Sequence, residues 1–258
     1  MKYVVLGSSA SMPTTRRNCS SALLSCDSES GLVDCGPGTA RQLRHFGQAL
    51  ERISLVWISH HHGDHCWGFP TVVRHLERLG HDRILHVYAN RSTVDRLSSM
   101  LRFNRMRSVD VRLHVAEHGI FHQTKWFTWR TFPVKHRVPG NGLIVEERNP
   151  PARKIVYIAD TMMFDGLAEA SEHADLVVCE STVPARLARF VRGFKHMTAR
   201  EAATVARQAR ARRLVLTHIS HLARASVMER EAREIFPNTV IAEDFSVFNV
   251  HDRHHRQT

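Results

Sequence analysis

The sequence of 258 residues lacks the features that mark membrane proteins and multidomain chains. Its longest apolar runs, such as residues 55–58 and 176–179, are far short of the roughly 20 residues needed to cross a bilayer. It also has no Gly/Ser-rich linker and no break in composition. We therefore expect no membrane association and a single domain over residues 1–250, followed by a polar C-terminal tail over residues 251–258.

Cysteine is scarce as well. The five cysteines are odd in number and show no paired spacing, which argues against a disulfide framework. The first residues lead directly into a short apolar run, residues 3–6, without the longer hydrophobic stretch and cleavage site of a secretory signal. These absences predict a cytoplasmic protein.

Acidic residues are outnumbered by basic ones. The chain has 25 Asp and Glu against 36 Lys and Arg, which gives a formal net charge of +11. A basic surface favours polyanions because binding releases their condensed counterions. Basic chains are also common where only solubility is needed. Charge therefore makes nucleic acid a plausible partner, but a chemical site is needed before it predicts a function.

The pattern of apolar residues indicates a mixed α/β fold. Short β-rich runs bounded by turn residues alternate with segments that have apolar residues at helical spacing. The pattern predicts a strand over residues 55–59 and helices over residues 69–79, 162–171 and 199–211. Thr198 and Glu201 form a Thr-x-x-Glu capping box, which marks the start of the last of these helices.

Histidine is abundant, with 19 residues, and one cluster is unusually dense. Directly after the apolar run 55–58 stands the pattern H-x-H-x-D-H, whose candidate metal ligands are His60, His62, Asp64 and His65. Imidazole and carboxylate are ligands that Zn²⁺ accepts, and four of them at this spacing can serve two ions. Gly63 allows the sharp turn that the loop requires. His61 falls on the opposite phase and is predicted to be an exposed bystander.

These residues resemble the metallo-β-lactamase superfamily, in which such a loop follows a core strand and further ligands arrive from later loops. Three positions that each follow a strand-like run match the remaining ligands: His136, Asp160 and His218. The resemblance implies a four-layer αββα sandwich with two Zn²⁺ ions per chain, although Mn²⁺ accepts the same ligands. It also implies that one ion is held by His60, His62 and His136 and the other by Asp64, His65 and His218, with Asp160 bridging them.

Three further residues are candidates for supporting or catalytic roles. Asp34 matches a family position that supports the metal loop from outside the ligand shell, although an Asp before Gly36 also suits an ordinary turn. Glu180 follows the run 176–179, and His196 precedes the capped helix. A histidine near a helix start and paired with a carboxylate is placed to bind phosphate and act as a general acid. A surface salt bridge is the alternative. The predicted catalytic residues are therefore Asp64, His196 and Glu180.

Several segments narrow the resemblance to the ribonuclease Z group. Its N-terminal signatures match residues 12–18 and 33–39, its metal loop and following helix match residues 62–70, and its closing motifs match residues 196–199 and 216–220. The resemblance implies an endoribonuclease that cuts precursor transfer RNA on the 3′ side, using a metal-activated hydroxide and leaving a 3′ hydroxyl. It also implies a homodimer.

One feature of that group is missing. The group has a protruding arm of several tens of residues between its third histidine motif and its bridging aspartate. Here, only 24 positions separate His136 from Asp160. The chain therefore resembles a short form that lacks the arm.

A basic run offers a different means of holding a substrate. Arg186, Arg189 and Arg192 recur at every third residue behind Pro184, a favoured first helical position. They are predicted to form a stripe that contacts substrate phosphates, with a solvated helix face as the alternative.

Two other functions stay open. Relatives without the arm include phosphodiesterases that act on small cyclic phosphates, so a cyclic nucleotide or another small phosphodiester is the first alternative substrate. The second alternative is a nucleic-acid-binding module with a vestigial site. It is disfavoured because all seven ligand positions and both auxiliary residues are present.

Overall fold

The computed structural model describes residues 1–26, 29–47, 52–106, 109–150 and 152–250. They divide into two compact units. The first unit comprises residues 2–117 and 243–248, and the second comprises Met1, residues 118–242 and the residues from 249 onward. The predicted tail, residues 251–258, lies outside the described residues. The prediction of one catalytic domain over residues 1–250 stays a prediction.

The first unit is built on one seven-stranded sheet with the order β14-β1-β2-β3-β4-β5-β6. Its strands are β1 (Lys2–Gly7), β2 (Ser21–Cys26), β3 (Glu29–Cys35), β4 (Ile53–Trp57), β5 (Leu85–Ala89), β6 (Val111–Val115) and β14 (Val247–Asn249). The pairs β1–β2 and β2–β3 are antiparallel, whereas β3, β4, β5 and β6 run parallel to one another. The carboxyl ends of β3 and β4 therefore lie at the same edge of this sheet.

Helices cover the apolar surface of the first unit. They are α1 (Thr39–His45), α2 (Gly63–Cys66), α3 (Phe69–Arg78) and α4 (Arg91–Phe103). Helix α3 buries Phe69, Val72, Val73 and Leu76, whose three-and-four spacing puts them on one face, as the sequence predicts. These side chains pack with Leu23, Val56 and other strand residues in a single hydrophobic core.

The second unit has its own seven-stranded sheet, with the order β13-β12-β11-β10-β9-β8-β7. Its strands are β7 (Gly119–Gln123), β8 (Phe127–Pro133), β9 (Asn141–Glu147), β10 (Lys154–Ile158), β11 (Leu176–Glu180), β12 (Leu214–Thr217) and β13 (Thr239–Ile241). Strands β10 to β13 are parallel, and β8 runs antiparallel to β9, which is antiparallel to β10. Strand β8 thus points the same way as β10, β11 and β12.

The helices of the second unit are α5 (Gly166–Ala170), α6 (Ala188–Val191), α7 (Ala199–Gln208) and α8 (Ala225–Arg233). Helix α7 buries Ala202, Ala203, Val205 and Ala206 in this unit's core. The capping box at its start is confirmed: the Glu201 amide donates to Thr198 Oγ1, and the Thr198 amide donates to Glu201 Oε2.

The prediction of a helix over residues 162–171 is wrong at its start, because α5 begins only at Gly166. The amides of the preceding residues are used elsewhere. The Thr161 amide donates to Glu180 Oε1, and the Met162 amide donates to the Lys135 carbonyl. These bonds tie residues 161 and 162 to Lys135 and to the end of β11, ahead of α5.

Two further observations bear on the expectations from composition. Four cysteines, Cys19, Cys35, Cys66 and Cys179, carry free and buried thiols. Burial raises the pKa of Cys19 to about 11 and that of Cys66 to about 12. Within the described ranges, no helix combines the length and apolar character that a bilayer crossing requires.

Candidate metal centre

The first unit contributes the histidine-rich loop that follows β4. Strand β4 is buried, and its end delivers His60, His62, Asp64 and His65. His60 Nε2 lies 3.1 Å from His62 Nδ1, and His65 Nε2 lies 3.5 Å from Asp64 Oδ2. Two donor atoms bound to one tetrahedral Zn²⁺ at roughly 2.1 Å each stand roughly 3.4 Å apart. The spacing and chemistry of these donors therefore fit a divalent metal.

Each buried histidine of this loop is held through its second ring nitrogen. His60 Nδ1 lies 2.9 Å from Ser59 Oγ, and His65 Nδ1 lies 2.8 Å from Asp34 Oδ2. Such bonds fix the orientation of a metal-binding imidazole and turn its Nε2 toward the ion. The orientation of these two rings is thus set by contacts within the protein.

Asp34 is the main support of the loop. It is fully buried at the end of β3 and adopts a left-handed backbone conformation with φ 58°. Its Oδ1 accepts from the Ser59 amide at 2.7 Å, and its Oδ2 faces both Ser59 Oγ and His65 Nδ1. Positive φ is unusual outside glycine, and such residues concentrate at functional sites. Asp34 therefore contacts the loop directly, as the family resemblance implies, rather than only closing a turn.

Two glycines let neighbouring backbones approach this loop. A Cβ added to Gly36 would stand 2.2 Å from the Asp64 carbonyl oxygen, and one added to Gly68 would stand 1.9 Å from the Gly36 carbonyl oxygen. The Gly68 amide donates to the Cys35 carbonyl. The turn after β3 is therefore packed backbone to backbone against the metal loop.

His61 behaves differently from its neighbours. Its Nδ1 lies 3.3 Å from Ser92 Oγ, and its ring is half-buried rather than exposed, so the prediction of an exposed bystander is wrong in that respect. Burial lowers the pKa of His61, with smaller contributions from Arg96 and His62. The ring contacts α4 through Ser92 and packs edge to face with the His62 ring, with centroids 6.2 Å apart.

The second unit brings together ligand candidates that are far apart in sequence. His136 follows β8, Asp160 follows β10 and His218 follows β12. Because these three strands point the same way, their carboxyl ends meet at one edge of the sheet. Asp160 Oδ2 lies 3.4 Å from His218 Nε2 and 3.8 Å from His136 Nε2. These distances again fit donors that share a metal ion.

His218 is held in a strained and buried position. Its φ is 58°, and its Nδ1 lies 3.0 Å from Thr182 Oγ1. His136 Nδ1 faces the Lys195 carbonyl at 3.5 Å, while Lys195 Nζ donates to the His136 carbonyl. In both histidines Nδ1 faces a supporting group, and Nε2 faces Asp160. Sequence reasoning did not single out the supporting roles of Thr182 and Lys195.

Glu180 anchors this edge of the sheet. It is 1% exposed at the end of β11. Its Oε1 accepts from the amides of Thr161 and Met197 and faces His196 Nδ1 at 3.1 Å, while its Oε2 accepts from the amide and hydroxyl of Thr182. Potential ligand atoms of Glu180, His196 and His218 lie within 4.8 Å of one another. A carboxylate has about four acceptor sites, and these donors occupy them, an arrangement that suits holding His196 in one orientation.

His196 stands beside the ligand candidates of the second unit. Its side chain is 14% exposed, its Nδ1 is 4.0 Å from Asp160 Oδ2, and its ring stacks against that of His218 with centroids 5.1 Å apart. Because Nδ1 is turned to Glu180, Nε2 is the ring atom that points away from it. This geometry suits a proton donor that is held in one orientation.

Comparison with known proteins identifies the family to which the chain belongs. The model of the β-lactamase superfamily domain matches residues 31–219. The ribonuclease Z of Gemmatimonas aurantiaca is 32% identical, over 93% of this chain and 92% of that protein. The chain belongs to the ribonuclease Z family of the β-lactamase superfamily.

Solved structures place this family member in a known fold. The short form of human tRNase Z has 26% sequence identity and a TM-score of 0.83, covering 98% of this chain and 100% of that one. The metallo-β-lactamase fold protein YhfI from Bacillus subtilis has 24% identity and a TM-score of 0.84, covering 96% and 98%. The predicted α/β metallo-β-lactamase fold is confirmed.

The ribonuclease Z alignment also bears on the missing arm. The match to the Gemmatimonas protein runs over 293 positions, more than the 258 residues of this chain, so that relative has segments that this chain lacks. Between His136 and Asp160, β9 and β10 take up 12 of the intervening positions. In this family member, the described part of that interval is mostly one antiparallel hairpin.

The arginine stripe lies on a short helical segment of the second unit. Residues 185–187 form a 3₁₀ turn, α6 follows, and residues 192–194 form another 3₁₀ turn. Pro184 is not the first helical residue, because its ψ of 158° is extended and it caps the first turn instead. The three arginines are exposed, and a 3₁₀ helix has three residues per turn. The segment is helical, as predicted, but it combines one short α-helix with two 3₁₀ turns and is not a regular α-helix.

Proposed function

We propose that this protein is a metal-dependent endoribonuclease that processes the 3′ ends of transfer RNA precursors. The observation that carries the proposal is the pair of Glu180 and His196, held at 3.1 Å beside Asp160 in a chain of the ribonuclease Z family. A general acid at this place is needed when the leaving group is a sugar oxygen. The net charge of +11 also suits an RNA substrate.

Two zinc ions per chain are part of the proposal, with Mn²⁺ as the other cation that these ligands accept. The family pattern assigns His60, His62 and His136 to one ion and Asp64, His65 and His218 to the other, with Asp160 shared. Support comes from the donor spacings inside each unit and from the bonds that fix the second ring nitrogens of the histidines. When bound, the ions supply an activated water and neutralise charge on the attacked phosphate.

The residues of the chain then have separate tasks. The oxygen of a water molecule adds to phosphorus and loses a proton to the solvent. The bond from phosphorus to the 3′ oxygen breaks, and the departing 3′ oxygen gains a proton. His196 Nε2 is the group that supplies it. Glu180 keeps the Nδ1 proton of His196 in place and stabilises the ring while it is charged. Asp64 serves as a ligand and helps to hold the attacking water.

The proposal includes a cytoplasmic homodimer. Free, buried thiols at four of the five cysteines support a reducing compartment. The dimer is supported by the family resemblance alone.

A small phosphodiester is the alternative substrate that a specific observation favours. The short hairpin between His136 and Asp160 takes the place of a protruding arm that would hold transfer RNA. A nucleic-acid-binding module with a vestigial site is disfavoured, because the ligand candidates stand at metal-like spacings within each unit.

The experiment is a turnover assay of protein loaded with zinc or manganese, with Asp64→Ala as the inactive control. The substrates are a 3′-extended transfer RNA precursor, bis(p-nitrophenyl) phosphate and cyclic AMP. Cleavage of the precursor at a single position supports the proposal. Turnover of the small diesters alone assigns the chain to small-molecule phosphodiesterases, and silence on all three substrates contradicts hydrolase function.

A further inference from the structure

We propose that residues 185–195 form an RNA-binding segment that grips the strand next to the scissile phosphate. Arg186, Arg189 and Arg192 would contact phosphates, while Phe190 and Phe194 would stack against unpaired bases. The inference rests on the proposed function and names the surface that replaces the arm. It concerns this segment of the second unit, which ends directly before His196.

The charge of the segment is of one sign. It contains four basic residues and no acidic one, and Arg186, Arg189, Arg192 and Lys195 are all exposed. Arg186 and Arg192 lie in the two 3₁₀ turns and Arg189 lies in α6 between them, and side chains three residues apart are neighbours on a helical surface. A line of cations suits the regularly spaced phosphates of a nucleic acid strand.

The segment also exposes two large aromatic rings. Phe190 is 57% exposed and Phe194 is 53% exposed. The Arg189 guanidinium carbon stands 4.7 Å from the centre of the Phe190 ring, and that of Arg137 stands 5.4 Å from the centre of the Phe194 ring. Aromatic rings interleaved with cations are the usual platform for single-stranded nucleic acid, since every base has a face that can stack. A solvated helix face would not require the two phenylalanines.

Hydrogen bonds hold both ends of the segment against the rest of the second unit. At its start, the Ala185 amide donates to Glu231 Oε2 at 2.8 Å. At its end, Lys195 has a φ of 59°, its Nζ donates to the carbonyl of His136, and the His196 amide donates to the Val191 carbonyl. Both ends of the segment are therefore held in place. An RNA strand bound along it would lie next to His196.

The test compares two variants with a matched control. The first variant is Arg186→Gln/Arg189→Gln/Arg192→Gln, and the second is Phe190→Ala/Phe194→Ala. The control, Arg207→Gln/Arg210→Gln/Arg212→Gln, removes the same charge from exposed positions in the last turn of α7 and just after it. The length of α7, about 15 Å, separates them from the segment. Each protein is checked for folding by thermal melting and for oligomeric state by sedimentation.

Cleavage of the 3′-extended precursor and its binding to Asp64→Ala versions of each protein are then measured at several salt concentrations. For the arginine variant we expect KM and Kd to rise at least tenfold, with a smaller change in kcat. The slope of log Kd against log salt concentration should become shallower by roughly two, because about 0.7 to 0.9 is lost per phosphate contact. The phenylalanine variant should weaken binding about 10- to 100-fold with an unchanged salt slope.

Other outcomes overturn the inference in distinguishable ways. If both variants bind and cleave the precursor like the control, the segment does not hold RNA. If they keep full RNA affinity but sediment as monomers while the unaltered protein is a dimer, the segment is a contact between two copies of the chain. If the unaltered protein hydrolyses bis(p-nitrophenyl) phosphate but neither binds nor cleaves the precursor, the proposed function fails together with this inference.

Discussion

The two units present their candidate ligands in different ways. In the first unit, four candidate ligands come from one loop of six residues, and hydrogen bonds to Asp34 and Ser59 hold this loop. In the second unit, three ligands come from the ends of three separate strands and are aligned by the direction of those strands. The first arrangement depends on local loop geometry, and the second depends on the register of a whole sheet. Variants in the two units should therefore fail in different ways.

The largest effect is expected from removing carboxylate ligands. Asp160→Ala should remove both metal ions, because the family pattern makes Asp160 a ligand of each, whereas Asp64→Ala should remove one. Both variants should slow turnover of bis(p-nitrophenyl) phosphate by roughly 10³-fold or more. Metal content per chain is measured by elemental analysis. Asp165→Ala, at an exposed position without a side-chain capping bond, is the control. Equal metal loss in the two ligand variants would contradict a bridging Asp160.

The second unit also provides the proposed proton donor, which should be separable from metal binding. His196→Ala is expected to slow RNA cleavage by about 10²- to 10⁴-fold. It should barely affect bis(p-nitrophenyl) phosphate, because p-nitrophenolate leaves without a proton. The ratio of kcat/KM on the two substrates is the measurement, and His118→Ala at an exposed position is the control. A similar loss on both substrates would show that His196 acts on the metal site instead.

The supports of the ligands allow a direct comparison of the units. Asp34→Asn replaces the Oδ2 that faces His65 Nδ1 and Ser59 Oγ, and it keeps a residue that tolerates positive φ. We expect zinc affinity to fall 10- to 100-fold. Thr182→Val removes one hydroxyl, which contacts His218 Nδ1 and donates to Glu180 Oε2. It leaves the carboxylate of Glu180 with its other donors, so it should cost less. Competition with a chromophoric chelator measures both. If Thr182→Val has the larger effect, the strand-end ligands of the second unit are the less firmly held set.

Backbone packing should matter more beneath the loop of the first unit. Gly36→Ala would force a methyl group against the Asp64 carbonyl, so we expect a loss of about 1–3 kcal/mol in the free energy of unfolding. Gly193→Ala in the second unit meets no atom within 4 Å and should stay within about 0.5 kcal/mol. Urea unfolding of the metal-free proteins gives both values. Equal values would mean that the turn after β3 can move away from the loop.

The contrast between the units also explains what could be predicted from the sequence. The ligands of the first unit are adjacent, so their spacing alone indicates a metal loop. Those of the second unit are 24 and 58 residues apart, and only the family resemblance links them before the sheet is known. The residues that support the ligands are even harder to predict from the sequence. Thr182 contacts His218 through its hydroxyl, and this contact requires the pairing of β11 with β12. Lys195 contacts His136 through its carbonyl, and this contact requires that the segment before His196 has folded. The segment before α5 likewise bonds to Lys135 and Glu180, which lie far away in sequence.

The smallest effect, and the sharpest test of the contrast, comes from the two capped helices next to the sites. Asn90 caps α4 by accepting from the Thr93 amide, and its amide group reaches the Ser59 carbonyl at 3.5 Å. Thr198 caps α7 two residues after His196. Asn90→Ala and Thr198→Ala should each cost about 1 kcal/mol, a shift of roughly 2–4 °C in Tm. Their effects on RNA cleavage should differ. The capping box also fixes the chain that carries His196, whereas the first loop is held by the shorter bonds of Asp34, at 2.7 and 2.8 Å, and the Asn90 amide group reaches it only at 3.5 Å. We expect cleavage to slow severalfold only in Thr198→Ala, measured at a temperature where both proteins are folded. Equal slowing would mean that the first loop depends on distant structure as much as the strand ends of the second unit do.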